Sequence, residues 1–119
     1  MTDTRSPITT HVLDTALGKP AAGVPVSLSR ADPAGEGWRE LATGTTDADG
    51  RITDLLAPGS LQPGVYRVRF DTAAYFASVG VERHFYPWAE IAFRVDDPGS
   101  HYHVPLLLNP FGYSTYRGS

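Results

Sequence analysis

The stretch that decides the fold is the end of the chain, residues 101–119, with the sequence HYHVPLLLNPFGYSTYRGS. Two strand-like runs, His101 to Leu108 and Phe111 to Arg117, are joined by a turn at Asn109-Pro110. Most domains end in a frayed polar tail, whereas this one ends with a tyrosine, an arginine and the terminal carboxylate within four residues. Such groups bind ligands or take part in catalysis, so we expect the terminus to be packed.

The run from His101 has apolar side chains on both faces. Alternation along a strand divides it into one set with Tyr102, Val104, Leu106 and Leu108 and a second set with His101, His103, Pro105 and Leu107. A strand in a two-layer sandwich has only one core face, so the second apolar face predicts contact with another subunit. Pro105 cannot donate a ladder hydrogen bond, which predicts an edge position or a bulge.

The rest of the chain repeats this pattern of short alternating runs separated by glycine, proline and aspartate turns. With a short strand near Ile52, the count reaches about eight, which indicates an all-β sandwich or barrel. The other runs are Ile8 to Leu13, Val24 to Leu28, Trp38 to Thr46, Val65 to Phe70 and Ile91 to Val95. One Ala-rich stretch, 71–79, differs: Asp71 suits an N-cap and Gly80 a stop, which predicts one short helix.

Length and composition exclude several classes of protein. A chain of 119 residues predicts a single domain over residues 1–119, with 1–6 expected to be flexible. A net charge of −3 without a basic block argues against nucleic-acid binding, and no cysteine is present for a disulfide or thiol chemistry. No apolar run approaches the roughly 20 residues of a membrane helix, and the N-terminus lacks a secretory pattern. We therefore expect a cytoplasmic protein that does not bind membranes.

Two histidines are candidates for proton transfer. If Ile8, Thr10 and Val12 point to the core, His11 lies on the outer face of its strand, and His103 lies outside in the same way. Imidazole titrates near pH 6.5 and exchanges protons at neutral pH, although each residue alone also suits a solvated strand histidine. His101 and His103 have the spacing of a metal pair, but no third ligand is near in sequence, so no metal is predicted.

Arg51 follows an acidic turn, Asp47-Ala48-Asp49-Gly50. A calcium loop would need an acidic residue where Leu56 stands, so the turn is interpreted as a lead into a strand. Arg51 is then either ordinary surface charge or a fixed fork for a carbonyl or an anion. No nucleophile elbow and no glycine-rich phosphate loop is present. The residues alone thus indicate a β-protein with histidine, arginine and tyrosine at a surface, and they name no substrate.

Three motifs together resemble the 5-hydroxyisourate hydrolases, the enzymatic branch of the transthyretin family. The terminal Tyr-Arg-Gly-Ser is the most specific of them, because hormone-carrying transthyretins lack it. The family usually has serine at the position of Asn109, and Trp88-Ala89 is less typical. The matching segments are THVLDT at 10–15 with GKPA at 18–21, HFYP at 84–87 with EIAF at 90–93, and HVPLLL at 103–108 with YRGS at 116–119.

The resemblance implies an eight-stranded, two-sheet sandwich of transthyretin (prealbumin) type with one short helix. It also implies a homotetramer with active sites where two dimers meet, and no cofactor. The expected reaction is hydrolysis of 5-hydroxyisourate to 2-oxo-4-hydroxy-4-carboxy-5-ureidoimidazoline in urate breakdown. By this resemblance His11, Arg51 and His103 are catalytic, and His11, Arg51, Tyr116 and Ser119 contact the substrate.

Two other functions compete with the hydrolase. Transthyretin itself shows that this fold can carry a small molecule without catalysis, and a sandwich can also serve only for protein contacts. A carrier channel needs no pair of proton-transfer groups, so His11 and His103, together with the terminal tetrapeptide, favour the enzyme.

Overall fold

The computed structural model describes residues 5–119, which form two β-sheets and one short helix. The prediction of a two-sheet sandwich with one helix is confirmed; the two-residue strand β2 is the addition to the eight expected strands. The strands are β1 Ile8–Asp14, β2 Lys19–Pro20, β3 Pro25–Ala31, β4 Trp38–Thr45, β5 Arg51–Ile52, β6 Gly64–Phe70, β7 Ala89–Val95, β8 Tyr102–Asn109 and β9 Gly112–Thr115, and helix α1, Thr72–Ser78, follows β6.

The order of the strands places the end of the chain beside its beginning. One sheet has the order β2-β1-β8-β9, with β5 also paired to β1, and the other has the order β4-β3-β6-β7. β1 and β8 run parallel, whereas every other pair is antiparallel. Parallel neighbours need a long connection, and here almost the whole chain lies between them.

The core lies between the two sheets and is built from alternate strand residues. Ile8, Val12, Leu106 and Leu108 of the first sheet are at most 1% exposed. The inward faces predicted for β1 and β8 are therefore confirmed. The opposing sheet contributes aliphatic and aromatic side chains that are at most 2% exposed, among them Leu28, Tyr66, Val68 and Phe70.

Pro105 lies inside β8, between β1 and β9, so the prediction of an edge position or a bulge is wrong. The carbonyls of His103 and Pro105 accept hydrogen bonds from Gly118 N (2.9 Å) and Thr115 Oγ1 (2.7 Å). The missing N–H of Pro105 therefore faces β9 and leaves the β1 ladder intact. The β8–β9 pairing stops at Leu106 and Thr115 and resumes only at the His103–Gly118 bridge. For this reason β9 ends two residues before its predicted end.

Helix α1 forms where it was predicted. Asp71 is its N-cap, and the side chain accepts a hydrogen bond from Ala74 N at 3.0 Å. Gly80, just beyond the C-cap Val79, has φ +76°, a conformation that glycine adopts without strain. The helix buries Thr72, Tyr75 and Phe76 against the sandwich.

Tyr75 connects α1 to the end of β1 through a buried polar contact. Its hydroxyl donates to Asp14 Oδ2 at 2.7 Å. The N–H groups of Ala16 and Leu17 donate to Asp14 Oδ1, each at 3.0 Å. Burial, aided by the hydrogen bond to Asp14, raises the pKa of Tyr75 well above its usual value. The buried carboxylate thus has a donor on each oxygen, as a buried charge requires.

The predicted flexible segment, residues 1–6, lies partly outside the described residues, because the description begins at Arg5. Ser6 is 4% exposed, donates to Ile8 O at 2.6 Å and accepts from Leu56 N at 3.1 Å. Within residues 5–119, no helix has the length and apolar character that would let it cross a membrane.

Candidate active site

The pairing of β1 with its two neighbours brings the candidate residues to one face. His11 of β1 is opposite Arg51 of β5 on one side and opposite Pro105 of β8 on the other. Thr9, two residues earlier and on the same face, is opposite His103. Three residues that were singled out separately in the sequence, His11, Arg51 and His103, are therefore neighbours in the first sheet.

Arg51 is placed by the tight turn that precedes it. The Asp47 carboxylate accepts hydrogen bonds from the N–H groups of Asp49 and Arg51, both at 2.9 Å. Gly50 closes the turn with φ +75°, and its carbonyl accepts from Val12 N at 2.7 Å. A Cβ at Gly50 would lie 2.4 Å from the Val12 carbonyl oxygen, so only glycine lets β5 approach β1 here. The prediction of a turn leading into a strand is confirmed.

A cleft of about 240 Å³ lies beside this face and is called the histidine cleft below. Two arginines, two histidines and Ser119 are among the residues that line it. His11 is paired with Arg51 in the sheet but is not among the residues that line the cleft. The lining residues are Arg5, Thr9, Thr10, Arg51, Thr53, His101, His103 and Ser119.

Tyr116 lies elsewhere in the single chain. It is 58% exposed and lines an adjacent cleft of about 250 Å³ with Ile91, Phe93 and Tyr102. His103 lines both clefts. The structure therefore brings Arg51, His103 and Ser119 into one cleft and places Tyr116 in the adjacent one.

The C-terminus is anchored, as the sequence predicts. Gly118 N donates to His103 O at 2.9 Å, and a Cβ at Gly118 would lie 2.5 Å from Cδ2 of the His103 ring. The Arg117 guanidinium lies 4.5 Å from the centre of the Tyr102 ring, a cation–π contact that points it away from the histidine cleft. The tail therefore packs directly against the candidate base.

The surroundings of His103 favour its neutral form. Burial is the largest cause that lowers the pKa of this imidazole, and the charges of Arg51, His11 and His101 lower it further. A neutral imidazole retains a lone pair that accepts a proton from water at neutral pH. His103 therefore has the protonation state of a general base, with a guanidinium close by to stabilise negative charge.

Sequence reasoning missed the residue that joins the histidines. Thr9 Oγ1 lies 2.8 Å from His103 Nδ1 and 3.0 Å from His101 Nε2. Its place on the His11 face was visible in the alternation, but the parallel pairing of β1 with β8 was not. Within residues 5–119 no group of three or more His, Cys, Asp or Glu side chains is arranged to hold a metal ion.

The fold and the cleft define a small β-sandwich protein with a cleft lined by histidine and arginine beside the outer face of one sheet. The chain belongs to the HIUase/Transthyretin family, whose model matches residues 8–118. The resemblance found in the sequence is thereby confirmed.

Individual relatives agree with this assignment. The chain is 48% identical over 114 residues to the 5-hydroxyisourate hydrolase of Mus musculus, with 96% of each chain covered. Among solved structures, the 5-hydroxyisourate hydrolase of Klebsiella pneumoniae matches with a TM-score of 0.79 and 44% identity over 94% of this chain and 98% of that one. Sea bream transthyretin in complex with thyroxine matches with a TM-score of 0.87 and 39% identity over 95% of each chain.

Proposed function

We propose that this protein hydrolyses 5-hydroxyisourate to 2-oxo-4-hydroxy-4-carboxy-5-ureidoimidazoline in urate breakdown. The single observation that carries the proposal is the histidine cleft, where the neutral imidazole of His103 and the guanidinium of Arg51 meet. Relatives that align over nearly the whole chain are named 5-hydroxyisourate hydrolases, which supports the enzyme over the transthyretin-type carrier.

The reaction needs water to attack a ring carbonyl and a ring nitrogen to leave. We assign His103 as the base that takes a proton from the water, because its surroundings keep it neutral. Arg51 binds a carbonyl oxygen of the substrate and stabilises the negative charge that develops there as the C–O bond forms. The C–N bond then breaks, and the departing nitrogen receives a proton.

The other predicted contacts surround this centre. His11, paired with Arg51, is assigned to bind the substrate and to share in proton transfer, and Ser119 contacts the substrate from the end of the chain. Tyr116 is assigned to a carbonyl oxygen of the substrate, although it lines the adjacent cleft in the single chain. No metal or organic cofactor takes part in the proposed reaction.

We further propose a cytoplasmic homotetramer with active sites where two dimers meet. The outer face of the first sheet carries Leu107 beside the polar residues of the site, and Tyr116 is 58% exposed. A second subunit on this face would cover the histidine cleft and exclude bulk water from it. Light scattering at micromolar concentration tests the assembly: a tetramer is expected, and a monomer would exclude a site shared between subunits.

The activity is tested by following the absorbance of freshly generated 5-hydroxyisourate. Because this compound decays unaided, the rate is compared with a control without enzyme. A general base contributes about 10²–10⁴-fold, so His103→Ala should lower kcat by about that factor. His84→Ala is the matched control, since this imidazole packs on Phe76 (ring centres 5.3 Å apart) outside the cleft. Wild-type protein that does not exceed the spontaneous rate would overturn the proposed function.

A further inference from the structure

Thr9 connects two histidines of the histidine cleft through one hydroxyl group. The residue is only 8% exposed, and its strand runs parallel to β8 with Thr9 opposite His103. Its Oγ1 lies 2.8 Å from Nδ1 of His103 and 3.0 Å from Nε2 of His101. Both distances are those of hydrogen bonds, so two hydrogen bonds through the Thr9 hydroxyl connect the two rings.

The hydroxyl has one proton, which leaves two arrangements of these bonds. In the first, Thr9 donates to His103 Nδ1, so a neutral His103 must carry its proton on Nε2 and has no lone pair left for water. In the second, Thr9 donates to His101 Nε2 and accepts from Nδ1–H of His103. Only the second arrangement leaves Nε2 of His103 basic. The backbone of Thr9 also hydrogen-bonds the His103 ring, a contact that acts to raise its pKa against the larger effect of burial.

We propose that Thr9 is a positioning residue that holds His103 in the Nδ1–H tautomer and connects it to His101, forming a proton relay from the reacting water to His101. The proposal rests on the proposed function. It assigns a role to two residues, Thr9 and His101, that stand beside the candidate base without being needed for substrate contact. The orienting partner of a catalytic histidine has the same effect elsewhere, where it fixes the tautomer of the ring.

The relay consists of three proton transfers. The water proton moves to Nε2 of His103 as the oxygen bonds to the carbonyl carbon. The Nδ1 proton of His103 moves to Thr9 Oγ1, and the original hydroxyl proton of Thr9 moves to Nε2 of His101. His101 becomes an imidazolium while His103 stays neutral. When the C–N bond breaks, the same three transfers in reverse deliver the proton to the departing ring nitrogen.

The charges around the relay favour a place for the proton away from His103. Burial is the largest cause that lowers the pKa of His103, and the charges of Arg51, His11 and His101 lower it further, so an imidazolium on that ring is unfavourable. Besides Arg51, the cleft is lined by one further cationic side chain, that of Arg5, and by Thr10, Thr53 and Ser119. A relay that passes the proton on to His101 leaves the His103 ring neutral during the reaction.

Two variants of Thr9 separate the relay from a packing role. Thr9→Val keeps the shape and removes the hydroxyl, whereas Thr9→Ser keeps the hydroxyl and removes a methyl group. In metal sites, loss of the hydrogen bond that orients a histidine costs about 10–100-fold. We expect Thr9→Val to lower kcat by a similar factor, with little change in KM. Thr9→Ser should restore most of kcat, and His101→Gln added to Thr9→Val should cause no further loss.

A second measurement does not depend on activity. Nitrogen-15 NMR of the imidazoles in the free wild-type protein identifies which nitrogen of His103 carries the proton, and Nδ1–H is expected. An active wild type with His103 in the Nε2–H form, or Thr9→Val with wild-type kcat, would overturn the relay and leave the hydrolase intact. A wild type without activity above the spontaneous rate would overturn the proposed function and the relay with it.

Discussion

Replacement of Gly118 by alanine should damage catalysis through a single methyl group. The added Cβ would lie 2.5 Å from Cδ2 and 3.2 Å from Cγ of the His103 ring, whereas ordinary contact begins at 3.4 Å. The ring or the tail must therefore shift by about 0.9 Å, and a displacement of that size at a catalytic group costs on the order of 10²-fold in rate. If the ring moves, the 2.8 Å contact of His103 with Thr9 is strained. If the tail moves, Ser119 is displaced from its position in the histidine cleft.

Gly112→Ala is the matched control for this experiment. Gly112 lies in the same terminal segment, and a Cβ there would meet only the Asn109 side chain at 3.6 and 3.8 Å, which is ordinary contact. The assay measures kcat and KM for freshly generated 5-hydroxyisourate, with circular dichroism and light scattering to compare folding and assembly. We expect a fall of about 10²-fold in kcat for Gly118→Ala and near wild-type values for Gly112→Ala.

The result that would refute this reasoning is a Gly118→Ala protein with the kcat and KM of the wild type. It would mean that the position of the His103 ring relative to the tail does not matter for turnover. The base would then have to be sought at His11, and the tail would serve only to complete the sheet.

Three further predictions concern stability and pH. Gly50→Ala should destabilise the protein by more than Gly18→Ala. Both glycines have positive φ, which costs alanine about 1–2 kcal/mol, but only at Gly50 would the added Cβ also lie 2.4 Å from a carbonyl oxygen, whereas nothing lies within 4 Å of a Cβ at Gly18. Urea unfolding of the two variants measures the difference in the free energy of unfolding. Tyr75→Phe should cost about 1.5–3 kcal/mol by removing a donor from a buried carboxylate. The pKa of Tyr75 is raised in the folded protein, so the wild type should also lose stability as the pH rises above about 10, the pKa of tyrosine in the unfolded chain. Tyr75→Phe has no hydroxyl to ionise and should lack this loss, and unfolding curves at pH 8 to 11 compare the two proteins. Arg51→Gln removes one of the charges that lower the pKa of His103. The acid limb of the variant's profile of kcat/KM against pH should therefore lie at higher pH than that of the wild type, whereas an unchanged limb would count against His103 as the base.

Local signals in the sequence predict most of the framework. Alternation placed Ile8, Val12, Leu106 and Leu108 in the core, because a strand buried on one face must carry apolar residues at every second position. The cap of α1 at Asp71 also followed from local chemistry, since its side chain bonds a backbone N–H three residues away.

The errors occurred where a residue depends on a distant partner. Pro105 was expected at an edge or bulge, yet it is accommodated inside β8 because its missing N–H faces a gap in the pairing with β9. Which side of a strand the proline ring interrupts depends on the neighbouring strand, and the sequence of one strand does not contain that information.

By itself, the sequence determined the two-sheet class, the helix, the family and the outward direction of His11 and His103. These follow from periodicity and from motifs whose residues lie within a few positions of one another. Tertiary structure alone decided that β1 lies parallel to β8, which joins residues some 94 positions apart, as in the contact of Thr9 with His103. It alone decided that Gly118 packs on the His103 ring and that Tyr116 lies in the adjacent cleft of a single chain. The physical reason is that a catalytic arrangement is made of contacts across strands, and the pairing of strands is fixed by burial of the whole sheet rather than by the residues in the site.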